Sequence, residues 1–449
     1  MHRVFKWGAT VAGCALLAVL LLYAISRLMP VPANEAAALA KLEAAPELPG
    51  KNGAAALWLL AYDVPIEQAD SVLAPEVARF AAIPVQYGDD ATLFSLALGA
   101  ARLDGDLADA GGECRLREPG CLQKIRSTLP EYERQREARS KIASRVAALD
   151  GYDYFRNPFP SRVDTPLPDY RWLTRDLPVH AYNFARGDAT LALEGVCRNA
   201  SIARKLVASG DNLIGSMIGV AMMNGASRLF VDMLAELPVD HPVPTNCLRV
   251  FRADGAMTSG ICPTMLGEGR FGLGMLRSSY QAEAGEGWRP ASLFLDVEKT
   301  LARNARRATW FCATQARERI VADEPLNDAP VSTSPWSMRC VANAVGCAMV
   351  DAFPPAYAEY TWRLQDAEMR QKLVGTWLWL RTHADDQRPM VERLASRPET
   401  LKSPARDIRL NEDGKELMVR MYESRPEGDT WQLPIPDWMA KKKGAMITR

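Results

Sequence analysis

From Trp7 to Ser26 the chain carries no charged side chain. A helix of that length rises about 30 Å at roughly 1.5 Å per residue, which matches the hydrocarbon core of a bilayer. Within hydrocarbon a helix satisfies its own backbone hydrogen bonds. The run therefore divides the chain into one apolar helix and a body that folds beside the membrane. Arg3 and Lys6 precede the run and Arg27 follows it. The larger basic excess on the N-terminal side predicts a cytoplasmic N-terminus and a body outside the cytoplasm. The expected order is a cytoplasmic segment 1–6, a transmembrane anchor 7–26 and a linker 27–33, in a single-pass inner-membrane protein with a periplasmic body. One alternative is a cleaved signal peptide, with Val31 and Ala33 at the −3 and −1 positions and the body secreted to the periplasm. Signal-peptide apolar regions run to about 7–15 residues, so the length of this one favours retention. A second alternative is lipidation at Cys14, since Val11, Ala12, Gly13 and Cys14 resemble a lipobox. The apolar run continues well past Cys14 with no polar tether, which favours a small residue facing lipid.

An exported body changes how its cysteines read. Eight follow Cys14: Cys114, Cys121, Cys197, Cys247, Cys262, Cys312, Cys340 and Cys347. An even count outside the cytoplasm indicates disulfides. Cys114 and Cys121 flank a loop with Pro119 and Gly120, where a local bridge is easy. Cys340 and Cys347 have the same spacing in an apolar, helix-like segment. Seven residues of ideal helix rise about 10.5 Å, too far for a bridge, so this pair requires a break, expected at Gly346. Cys247 with Cys262, and Cys197 with Cys312, complete the expected set. A zinc site would call for closely spaced ligand pairs. No C-x-x-C occurs, and His180, His241 and His383 are far apart in sequence.

The 54 basic and 54 acidic residues balance, so no overall field points to nucleic acid or another polyanion. Lys441, Lys442, Lys443 and Arg449 form a basic tail. Contact with anionic lipid head groups competes there with a solvated terminus, and solvation is the expectation.

Most of the body has helical periodicity. Prolines 46, 49, 65 and 75 interrupt short apolar segments. A polar loop is expected over 104–113, then one or two helices from Cys121 to Leu149 broken near Pro130. A proline-rich stretch runs from Asn157 to Asp169. Leu193, Val196, Ala200, Ala203 and Val207 define one helical face, and Ser209-Gly210-Asp211 a turn. Leu213, Ile214, Met217, Ile218, Ala221, Leu229, Phe230 and Met233 define a second face, where Gly215 and Gly219 allow close helix approach. This second segment is read as core, not as another span. Arg289 to Val321 is expected as one helix, and Tyr357, Tyr360, Trp362, Trp377 and Trp379 as core aromatics of another. Near the C-terminus the period becomes two. Ile408 and Leu410, the turn Asn411–Gly414, then Leu417, Val419 and Met421 predict a hairpin, with Trp431, Leu433 and Ile435 as a third extended piece. The expected fold is mainly α: a transmembrane helix, an irregular helical bundle or solenoid-like body over 34–160 and 161–400, a small β-hairpin element over 401–438, and the basic tail 439–449.

Motifs for chemistry are sparse. Gly267, Gly269 and Gly272 match G-x-G-x-x-G, but no strand precedes them and no βαβ alternation surrounds them; a helix with small faces is the expectation. G-x-S-x-G, S-x-x-K, H-E-x-x-H and Walker A patterns are missing. Asp89/Asp90 and Asp385/Asp386 are adjacent carboxylates near predicted breaks, where capping or solvation is the simpler role. Asn199 begins a glycosylation sequon, but in mid-helix. No catalytic, cofactor or metal residue is assigned, and no cofactor is expected.

The segment YNFARGDATLALEGV and the helix after it, Tyr182 to Met233, resemble one tetratricopeptide helix–turn–helix unit, with no recurrence at about 34 residues. The anchor, SGDNLIGSMIGVAM, and the ending from SPARDIRLNEDGKELMVRM to WQLPIP together resemble a class of uncharacterised exported bacterial proteins. That resemblance implies an anchored helical envelope protein and brings no catalytic residues. The expected role is non-catalytic interaction or scaffolding with another envelope protein; a binder of a secreted toxin is a variant of it. The alternative is an envelope hydrolase acting on cell-wall or peptide substrates. His180 with Asp176, and Glu268 with Arg270, are the pairs that such an enzyme would draw on first.

Overall fold

A computed structural model describes residues 2–85, 94–103, 114–285, 290–329, 337–352, 356–424 and 428–440. Asp89/Asp90, the 104–113 loop and the basic tail lie outside the described residues.

Helix α1 (His2–Leu28) contains the charge-free run. Trp7, Val11, Leu16, Leu17, Val19, Leu20, Leu21, Leu22 and Ile25 are all exposed along it. No water-soluble body leaves such a sleeve bare at reasonable cost, and α1 is accordingly a candidate membrane span. After a turn at 29–32, helix α2 (Ala33–Glu43) packs between the body's long helices. The 121–148 stretch is divided more finely than expected, as α3 (Cys121–Ser127) followed by Leu129–Arg134 and Arg136–Ala148.

The strongest predicted pair forms the centre of the body. Helices α4 (Ala189–Ala208) and α5 (Leu213–Glu236) pack antiparallel across a tight turn. Gly210 makes that turn at φ +56°, and a Cβ there would lie 2.7 Å from Pro263 O. Asn212 caps α5 by accepting from Gly215 N at 2.8 Å. Gly219 admits α4: its Cβ would lie 2.7 Å from Ala203 O. Gly215 instead faces the Tyr170 hydroxyl. Although α5 is long and apolar enough to cross a membrane, 72% of its apolar window is buried inside the body, as a core helix should be.

Helix α6 (Ile261–Gly285) carries the glycine-rich segment in its interior, so these glycines open no phosphate loop. Gly267 lies against the Gly210 carbonyl and Gly269 against Leu42 and Ala308. The expected single helix from Arg289 to Val321 is instead a 3-10 turn (Pro290–Phe294), α7 (Val297–Trp310) and Thr314–Val321. Asp296 starts α7 by accepting from Lys299 N, and the chain bends at 311–313, where Cys312 is bonded to Cys262. Helices α8 (Ala344–Ala352) and α9 (Tyr357–Thr382) follow. Of the aromatic group only Trp377 of α9 is fully buried; Tyr357, Tyr360 and Trp379 are half-buried against the core, and Trp362, also half-buried, donates to Leu326 O at 2.6 Å.

The C-terminal element is a three-stranded antiparallel sheet, the expected hairpin with the third extended piece paired beside it: β1 (Arg409–Leu410), β2 (Glu416–Arg420) and β3 (Thr430–Pro434), in the order β1-β2-β3. Leu417, Val419, Trp431 and Leu433 point inward and are buried. Arg406 fastens this sheet to α9. It donates to Asp366 at 2.5 Å and to Asp323 at 2.6 Å, and Asp366 also accepts from Tyr422 N and Glu423 N, each at 2.9 Å. One hydrophobic cluster includes residues from Ala55 to Met439. A second, smaller cluster joins α2, α6 and α7 through Leu39, Leu42, Leu273 and Leu301.

All eight body cysteines are paired: Cys114–Cys121, Cys197–Cys247, Cys262–Cys312 and Cys340–Cys347. The expected Cys247–Cys262 and Cys197–Cys312 pairings are wrong. Cys197 of α4 faces the short helix Thr245–Val250, and Cys262 of α6 faces the end of α7. The helix break between Cys340 and Cys347 falls at 341–343, not at Gly346. Gly346 is helical and pressed against Thr300 and Asn343. Cys14 is free and exposed on α1.

Candidate functional site

Only three residues of α5 are charged: Arg228, Asp232 and Glu236. Their four-residue spacing puts them in a row on one helix face. That row is part of the wall of a groove of about 1120 Å³. The Cys114–Cys121 loop and α3 form one bank, with Arg115, Glu118 and Gln123. Strand β3 forms the other bank, and Arg370 of α9 also lines the groove.

Among the described residues the β3 bank is an unpaired sheet edge. Met421 N donates to Asp429 O and Ile435 N to Lys415 O. By the alternation of an antiparallel ladder, Trp431 and Leu433 then bond to β2, and the N–H and C=O groups of Thr430 and Gln432 point away from it. Pro434 directs its carbonyl outward too, and Trp377 Nε1 donates to it at 2.8 Å. Edge groups of this kind form a template for another extended chain. Beneath them the Arg228 guanidinium lies 5.0 Å from the Trp431 ring centre. Trp431 Nε1 is buried with no hydrogen-bond partner among the described residues.

The groove is mixed in charge. Arg126 holds Glu236 by two bonds of 2.7 and 2.6 Å, and Arg363 holds Glu423 at 2.9 Å. Burial pushes the Asp232 carboxyl up to about 6; Arg228 opposes the shift and Glu236 adds to it.

The pairs suggested by sequence for hydrolysis are structural. His180 Nε2 lies 3.2 Å from Asp176 Oδ2 with both residues buried. The ring fills the notch left by Gly195, whose Cβ would lie 2.2 Å from it. Glu268 accepts from Leu213 N at 3.0 Å and so caps the start of α5; burial raises its pKa. Arg270 donates to Gly210 O at 2.9 Å. Both of these side chains secure the α4–α5 turn. Asp386 is paired with the neighbouring Arg388, whose hydrogen bonds lower its pKa to about 2. Among the described residues no group of three or more His, Cys, Asp or Glu side chains is placed to hold a metal ion.

Fold and site together define a mainly α-helical protein with a candidate N-terminal membrane-spanning helix, four disulfides and a strand-edged groove. No protein-family model, curated protein or solved structure matches the chain.

Proposed function

We propose that this is a single-pass inner-membrane protein with its body in the periplasm, where the groove captures an extended segment of another envelope protein without catalysis. The observation that carries the reading is the open β3 edge facing the disulfide-clipped bank. A peptide adding to that edge would gain main-chain hydrogen bonds from Thr430 and Gln432, and the wall residues would select its side chains. The mixed charge suits a polypeptide better than a polyanion. Four disulfides support an oxidising compartment, and the exposed sleeve of α1 supports retention in the membrane.

The test is an extended-peptide library panned on the detergent-solubilised protein. Binders should be enriched, and Gln432→Pro should abolish their binding. Residue 432 directs its N–H away from β2, so proline there removes an edge donor and spares the β2–β3 ladder. Binding that survives Gln432→Pro with an intact fold sinks the proposal.

The second reading is an envelope hydrolase acting on peptide or cell-wall substrates. Its one support is Asp232, lifted to about 6 within the groove, as a general acid requires. Turnover of such a substrate that Asp232→Asn abolishes would favour this reading.

A further inference from the structure

The last turn of α1 is built into the body. Tyr23 Oη donates to Leu293 O at 2.6 Å, and its ring lies edge-on to Phe294 with centres 5.8 Å apart. Arg27 donates to Leu295 O at 3.1 Å. On another side Ala342 N donates to Ser26 Oγ at 2.9 Å. The two contact regions are themselves joined, because Asp296 N donates to Asn343 Oδ1 at 2.7 Å and α8 packs on the 290–294 turn.

Around this junction four large apolar side chains of the body are exposed: Leu293 at 46%, Phe294 at 44%, Met349 at 41% and Val341 at 37%. The height of Leu293 and Phe294 is set by the anchor. Tyr23 precedes Ser26, the end of the charge-free run, by three residues, or about 4.5 Å of helix rise. If the run fills the hydrocarbon core, Leu293 and Phe294 lie beside a residue already below its outer boundary. Tyr23 itself has the amphipathic character that residues at that level favour.

We propose that Leu293, Phe294, Val341 and Met349 form a lip that inserts into the lipid leaflet around the anchor's exit, so that the body is held in the bilayer interface as well as by α1. The occupant of this surface is the acyl-chain and glycerol region of the membrane. Leu293 and Phe294 touch Tyr23, which joins this patch to the lipid-facing surface of α1. Apolar side chains on an interfacial surface bury roughly 5–10 Å into the headgroup and acyl boundary. Arg339 lies just beyond, in a cavity of about 360 Å³ that it shares with Met29 and Pro30, at the height expected of lipid phosphates.

This inference rests on reading α1 as a membrane anchor, and its test separates the two. In a Cys14→Ser background, full-length protein in phosphatidylethanolamine–phosphatidylglycerol nanodiscs carries an environment-sensitive fluorophore at Phe294→Cys, at Leu20→Cys in the anchor, or at Val321→Cys, an exposed position outside the patch. The lip predicts quenching of the Phe294→Cys probe by nitroxide placed high on the acyl chain. It also predicts quenching by aqueous iodide about threefold weaker than at Val321→Cys. If the Leu20→Cys probe is quenched by lipid nitroxide and the Phe294→Cys probe behaves like Val321→Cys, the lip is wrong and the anchor stands. If neither is quenched by lipid nitroxide, both readings fail. Met349→Cys serves as a second lip position should Phe294→Cys fail to fold.

Discussion

The backbone N–H of Ala342 donates to the hydroxyl of Ser26, a fully buried side chain 316 residues earlier in the chain. A serine at the end of an apolar run, where the helix should be leaving lipid, is thus part of the body's own packing. Ser26→Ala removes the acceptor and leaves a buried N–H unpaired. The expected cost is about 1–3 kcal/mol, read from urea denaturation of the detergent-solubilised protein. Intact mass of the membrane-extracted protein should show α1 retained, since cutting after Ala33 would discard the Ser26 and Arg27 contacts.

Disulfide mapping without reductant should recover peptides joining Cys197 to Cys247 and Cys262 to Cys312. Both bridges close a sequence separation of 50 residues, and the other two close a separation of 7. On loop-closure entropy alone the long loops are worth about 4 kcal/mol each and the short ones roughly 2. Cys197→Ser with Cys247→Ser should therefore lower the denaturation midpoint more than Cys114→Ser with Cys121→Ser.

Arg406 is buried between Asp323 and Asp366. Burial works against its charge, but the two carboxylates prevail and its pKa is raised. Arg406→Ala leaves both acids buried without their cation, which should cost about 3–5 kcal/mol. The loss should release the sheet first, seen as faster amide exchange in β2 and β3 than in α4.

Asp232 provides a pH signature. Its carboxyl is raised from 3.8 to about 6 by burial, so the folded state binds the proton more tightly than the unfolded chain. The associated stability is complete below the unfolded value and is lost as pH rises through the folded one. Asp232→Asn should flatten the fall in urea midpoint between about pH 4 and about pH 7. An unchanged slope would assign the effect to another acid, with Asp211, also raised to about 6 by burial, as the first candidate.

Features written locally were legible in the sequence. The anchor is a matter of composition, the α4–α5 pair of helical period and a glycine turn, and the C-terminal strands of alternation around Asn411–Gly414. What depends on neighbours was hidden. Cys197 could not be matched to Cys247 without knowing that the Thr245–Val250 helix lies on α4. The break at 311–313 was masked by a helical period that continues on both sides of it. The groove was missed because its walls come from four separate stretches of chain. One signal was available: Arg228, Asp232 and Glu236 are the sole charges in a mostly apolar helix, in one row. A buried helix does not keep such a row facing its core, so something polar or open had to lie beside it.

The splice between α1 and the body also determines how the groove would meet its targets. With Tyr23, Ser26 and Arg27 all bonded to the body, there is no tether to extend. If α1 anchors the protein as proposed, the molecule would diffuse laterally as one piece, and its groove would sweep a plane at constant height. On that reading a segment presented at that height would be sought in two dimensions, and one held farther out would never be met, however well it fits.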